Sequence, residues 1–220
     1  MYSQKSKNLF FSSNRELLIS LAVALLCLFL SVAFPAQNSA QDITKNLFFL
    51  ILLPMAYIKI ILKKNLADFG WNLKNQNIAL LWGIIITIFT LTIFYLMLNY
   101  TQFKTGYVLD DYIKNNFWLF LVRELIIVNF IVFIFSFFFQ GFLLAVFREK
   151  FRYWSIALQA GIFFAVLFFT QNFSWQTMPF VLLSITGGVL SYKTKSFFYS
   201  YFAGIFAIII LDGYIIYLTK

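Results

Sequence analysis

Apolar residues fall in long runs along this chain, and polar residues gather between them. Seven runs stand out, at about 17–34, 46–62, 78–98, 116–147, 154–169, 177–191 and 196–218. Crossing a hydrocarbon core of roughly 30 Å takes about 17 or more apolar residues as helix. The expected fold is therefore all-α, a polytopic transmembrane bundle of about seven spans. Pro35 and AQNSAQD close the first run. Lys63, Lys64 and ADFGWNLKNQN separate the second from the third, and TQFKTGYVLDDYIKNN precedes the fourth. The fourth is too long for one simple crossing. From Phe117 to Phe147 it would measure roughly 45 Å, so it must tilt, break or project.

Composition agrees with the pattern. Of 220 residues, 62% are hydrophobic and only 11% charged, too few charges to cover a soluble domain of this length. Aromatics make up 22%, with 31 Phe. The short connections leave no room for a separate soluble domain. Residues 1–115 form an N-terminal three-span region, and 116–220 the rest of the same membrane domain. The first run is too long for a signal-peptide core and reads as a retained helix.

The net charge of +9 is explained by topology. With the N-terminus in the cytoplasm, the inner flanks hold eleven basic residues, among them Lys5, Lys7, Arg15, Lys63, Lys64, Arg148, Lys150 and Lys193. The outer flanks hold four: Lys45, Lys104, Lys114 and Lys220. That asymmetry is the positive-inside pattern. Anionic lipid headgroups suffice as partners, and no nucleic acid is needed. The chain has no His and a single Cys, Cys27. Neither a histidine-ligated zinc site nor a disulfide framework can be built from it. No cofactor or metal is expected. A plasma membrane, prokaryotic by size and style, is the expected location.

Chemistry is sparse inside the runs. The stretch FSFFFQGFLLAVFREKF, Phe135 to Phe151, carries Ser136, Gln140 and Gly141 in an otherwise apolar helix. GIFFAVLFF and TGGVLSYKTKSFFYSYFAGIFAI follow. From about Ile134 to Ile208 this resembles the CPBP family, the CAAX-processing and bacteriocin-processing intramembrane proteases. Typical members carry EExxFRG, then a basic turn, a helix with FxxxH, and a last pair of helices ending in HxxxN or HxxxD. Order, spacing and the aromatic link before the last helix agree.

The departures fall on the family's reactive positions. By the resemblance, the two glutamates fall at Phe135 and Ser136 and the arginine at Gln140. The first histidine falls near Phe168, counted from Phe164. The last histidine and its Asn or Asp partner fall near Gly204 and Ile208. None of these residues can serve as a general base. At 1.5 Å per residue, Phe135 lies roughly 20 Å from Arg148, Phe168 roughly 21 Å from Trp154, and Gly204 and Ile208 roughly 12–18 Å from Ser196. The three helices should thus meet in one mid-membrane layer, dry and filled by aromatic rings.

Each feature also has a plainer role. Gln140 and Gly141 read as relics of a substrate site or as a helix-packing spot; Gly187 and Gly188 read as packing. Gly204 either lets a neighbouring ring fill space or brings two helices close. Glu124 lies eleven residues, roughly 16 Å, from Phe135, too far to replace the missing carboxylates. Asp212, an acid inside a span, either pairs with Arg123 or caps a helix break at Gly213.

Three functions compete. The first is a catalytically silent relative of these proteases that binds a membrane peptide or partner helix. The second is an active endopeptidase of the CAAX-type or bacteriocin-processing kind, using an unrecognised site. The third is an unrelated small transporter or structural protein.

Overall fold

A computed structural model describes the backbone from Tyr2 to Thr219 and the side chains from Asn14 to Leu218. Among these residues every regular element is a helix and there is no strand. Seven principal helices follow the apolar runs. They are α1 (Tyr2–Ala33), α2 (Ser39–Ile61), α3 (Gln76–Tyr100), α4 (Phe117–Phe151), α5 (Trp154–Phe169), α6 (Met178–Thr194) and α7 (Phe197–Thr219). Five contain stretches long and apolar enough to cross a membrane: Asn14–Ala33 of α1, α2, α3, α4 and Phe197–Leu218 of α7. α5 and α6, with 16 and 17 residues, reach only about 24–26 Å.

Local signals set the ends. The Asn38 side chain accepts from Gln41 N to start α2, and Asn116 accepts from Trp118 N and Leu119 N to start α4. These bonds satisfy amides that a helix start leaves unpaired. α4 stops where Arg152 turns to a positive φ of 49°. Pro54 removes one donor inside α2, and wider i→i+5 turns flank it at Phe48–Leu52 and Tyr57–Ile61.

α4 is the axis of the bundle. Its most apolar window is 72% buried, against 22–33% for the other long helices. It runs from Phe117 to Phe151 without a break. It widens into i→i+5 turns at Arg123–Val128 and at Ser136–Leu143. Every residue of the second segment is buried. A helix apolar on all sides has no lipid-facing stripe to choose, so its neighbours surround it.

Contacts at the helix ends show alternating directions. At one end Glu16 pairs with Lys64, and Lys150 Nζ donates to Asn14 Oδ1 at 2.9 Å. The α2–α3 connection joins the α6–α7 turn there. Asn72 Nδ2 donates to Lys195 O at 2.9 Å, Asn75 Nδ2 donates to Thr194 O at 3.2 Å, and Ser196 Oγ donates to Asn72 O. This is the basic end. At the opposite end Phe34 packs on Phe49, and Gln176 Nε2 donates to Val108 O at 2.6 Å. An alanine Cβ at Gly106 would lie 2.9 Å from Trp175 Cβ, so the two connecting loops press together.

Candidate functional site

The α2–α3 connection enters the bundle rather than skirting it. A short 3-10 turn, Leu66–Phe69, ends at Gly70 with φ 85°. Phe197 N donates to Gly70 O at 3.2 Å. Gly141 makes this approach possible: a Cβ there would sit 3.0 Å from Phe69 O and 3.3 Å from Phe197 Cδ1. Trp71 then packs against Phe133, Phe137, Phe197 and Phe198 with ring centroids 5.4–6.1 Å apart.

Gln140 faces the other way. Its Nε2 donates to Leu183 O on α6 at 2.9 Å, and its backbone carbonyl accepts from Ser191 Oγ at 2.6 Å. Gly187 leaves the space, because a Cβ there would lie 2.8 Å from Gln140 Cδ. A second amide repeats the device. Gln159 of α5 donates to Ser184 O at 2.6 Å, opposite Gly188, whose added Cβ would lie 2.6 Å from Gln159 Nε2. Two glutamines thus fasten α4 and α5 to successive residues of α6 through two adjacent glycines. Gln159 was not singled out from sequence, although an amide amid an apolar run is a signal for interhelical bonding.

Phe135, Ser136 and Gln140 line one small space of about 20 Å³ with Phe163, Phe180, Leu183 and Ser184. That volume accommodates roughly one water molecule, far less than a peptide. Rings wall it: Phe135 lies 5.6 Å from Phe163 and 6.4 Å from Phe180, and Phe139 lies 5.0 Å from Phe163. Yet it is not purely aromatic. Gln140 Oε1 is buried with no hydrogen-bond partner, and the Ser184 hydroxyl donates only to Val181 O, at 2.8 Å.

Gly204 and Ile208 stand behind this space. A Cβ at Gly204 would lie 3.4 Å from Val132 Cγ1 and 3.7 Å from Leu183 Cδ1, so aliphatic groups and not a ring fill its place. Ile208 belongs to the neighbouring core with Val132, Leu183 and Leu211. Phe168 does not join them. It is 62% exposed and pairs with Phe169, so the expectation that it enters the layer is corrected. Phe163 takes that place. The buried face of α5 carries Ser155, Gln159, Ala160 and Phe163, so the two polar residues spaced i, i+4 before Phe163 are the signal that marks it.

A separate polar group lies toward the opposite end. Arg123 Nη1 donates to Asp212 Oδ2 at 2.7 Å and also to Glu124 Oε1. Tyr107 OH donates to Asp212 Oδ1 at 2.7 Å. Burial, and then the adjacent Asp212 carboxylate, push the Tyr107 phenol well above the ordinary tyrosine range. α7 runs unbroken past Gly213, so Asp212 caps no helix break. Glu124 and Asp212 are fully buried. Among the described residues no three carboxylate or thiol side chains converge.

Two apolar grooves run along the outside. One, of about 690 Å³, lies between α5 and α6 over Ala157, Ala160, Gly161 and Ile185. The other, of about 540 Å³, lies between α3 and α7 over Ala79, Gly83 and Ala203. No family model, curated protein or solved structure matches this chain.

Proposed function

We propose that this chain is a multi-pass protein of a prokaryotic plasma membrane, built on the plan of the CPBP proteases, that holds a membrane peptide or partner helix without cleaving it. All seven helices cross in this reading, with the basic end in the cytoplasm, where the excess of Lys and Arg belongs. One observation carries the loss of cleavage. Phe135, Ser136 and Gln140, at the family's reactive positions, share a ring-walled space of about 20 Å³ that holds no carboxylate. Peptide hydrolysis needs a base to activate water and charge to stabilise the oxyanion. Ser136 and an amide supply neither, and a peptide bond has no room to enter. The α5–α6 groove is the place for a partner helix, because its small residues let a second backbone approach closely.

The test uses purified full-length protein in nanodiscs with a fluorescent farnesylated peptide and a fluorescent apolar helical peptide. Binding is read by anisotropy and cleavage by mass spectrometry. The expected result is binding of at least one peptide, with no new fragments, weakened at least tenfold by Gly161→Phe. A Cβ added at Gly161 meets nothing within 4 Å, and Gly161 lines the groove, so the substitution starts from open space rather than from the core. Cleavage would establish the endopeptidase instead, and absence of any binding would remove the peptide-holding role.

A carrier is the second reading. It is favoured by the Arg123, Glu124 and Asp212 group, since ionisable residues within spans commonly mark ion pathways. Pyranine-loaded proteoliposomes showing proton flux that Asp212→Asn abolishes would select it.

A further inference from the structure

The charges around Arg123 do not balance. Glu124 and Asp212 contribute two carboxylates, both fully buried, and Arg123 contributes one guanidinium. Tyr107, the remaining titratable group against them, is a neutral donor to Asp212 Oδ1. Among the described residues no lysine or second arginine makes an ion pair with either acid; the other pairs are Lys45–Asp42, Lys64–Glu16 and Lys114–Asp111. One positive charge is missing. Its place is marked independently of the count: Glu124 Oε2 is buried and has no hydrogen-bond partner. Inside a span, neither water nor counter-ions can screen the excess, and an isolated buried anion is strongly disfavoured.

The geometry supports sharing. Glu124 Oε1 and Asp212 Oδ2 accept from the same nitrogen, Arg123 Nη1, so they lie at most two hydrogen-bond lengths apart. Two carboxylates that close cannot both remain ionised without a further positive charge. Both Arg123 and Glu124 lie in the i→i+5 turn of α4 at Arg123–Val128, and Arg123 reaches Asp212 of α7.

We propose that this pair is a binding site for one monovalent cation, held at Glu124 Oε2 and shared with Asp212. A proton and an alkali ion are the two sources of that charge. The site is independent of the peptide-holding role, since it lies on a different stretch of α4.

The experiment is infrared spectroscopy of the purified full chain in nanodiscs at neutral pH, in choline chloride and in sodium or potassium chloride at equal ionic strength. If the cation is a proton, a neutral-carboxyl stretching band is present in every salt and is lost in Glu124→Gln. If it is an alkali ion, that band is absent, and sodium or potassium raises the melting temperature relative to choline. That rise is lost in Glu124→Gln. Should the variant not fold, uniform 13C-glutamate labelling of the wild type replaces it and must shift the band. A neutral-carboxyl band that survives Glu124→Gln, or the absence of both the band and any cation-dependent melting, overturns the proposal.

Discussion

At the scale of single residues, the bundle is held by polar groups that each answer one small residue on a neighbour. Gly187→Ala drives its Cβ into the Gln140 amide, which must swing off Leu183 O. The expected cost is about 1 kcal/mol, the worth of one buried bond. It should vanish in a Gln140→Ala background, which a double-mutant cycle on melting temperature would reveal. Gly106→Ala is expected to be worse, about 1–3 kcal/mol, because Trp175 is rigid and cannot step aside. Tyr107 provides a pH test. Its phenol is held above the usual range by burial and then by Asp212, so the native state keeps that proton more tightly than the unfolded chain. The stabilisation is complete below the ordinary tyrosine pKa and fades as pH rises above it. Alkaline melting curves of Tyr107→Phe should therefore fall less steeply with pH than those of the wild type.

At the scale of elements, the helices could be read from the chain more readily than what their faces touch. Apolar runs at 17–34, 46–62, 78–98, 116–147, 154–169, 177–191 and 196–218 each became one helix. Most ends lie within a few residues, but α1 begins at Tyr2 and α2 at Ser39, because polar residues ahead of the apolar run continue the helix. Length and hydropathy determine a membrane helix, and both are written in composition. Rotation about the axis is another matter. Ser155 and Gln159 mark the buried face of α5 at i, i+4 spacing and place Phe163 on it, but counting from Phe164 points to Phe168; Phe163 packs against Phe135 and Phe139. The inward path of the α2–α3 connection was hidden. Its polar residues ADFGWNLKNQN look like an ordinary surface loop, and only Gly141, Gly70 and the ring of phenylalanines around Trp71 make entry favourable. The position of Gln140 and Gly141 on the central helix was visible as an interruption of apolar sequence; what they touch was not. Asn72 pins this connection to Lys195 O and to Ala67 O. Asn72→Ala is expected to cost about 1–2 kcal/mol and to speed amide exchange over 66–75 while leaving 103–116 unchanged.

At the scale of the whole molecule, alternation of helix direction gathers charge. Lys64, Arg148, Lys150 and Lys193 lie at one end with Arg15, and the Tyr107 loop lies at the other. The proposed orientation then makes a direct statement about access. In a Cys27→Ala background, Lys195→Cys should react with a membrane-impermeant maleimide only in inside-out vesicles, and Lys104→Cys only in intact cells. The reverse pattern would turn the topology over.

The central position of α4 also sets a timetable for assembly. It is synthesised before the two helices that satisfy its polar groups. Arg123 meets Asp212 across 89 residues of chain, and Gln140 meets Leu183 across 43. At roughly 5–20 residues per second, the first gap alone is roughly 4–18 s of translation. For that time the Arg123 guanidinium, paired only with its neighbour Glu124, waits in the translocon or against lipid without Asp212, and for the shorter gap the Gln140 amide waits without Leu183. Nascent chains halted before Asp212 should consequently remain bound to insertase or be handed to membrane proteases, whereas release should begin once the last helix has emerged.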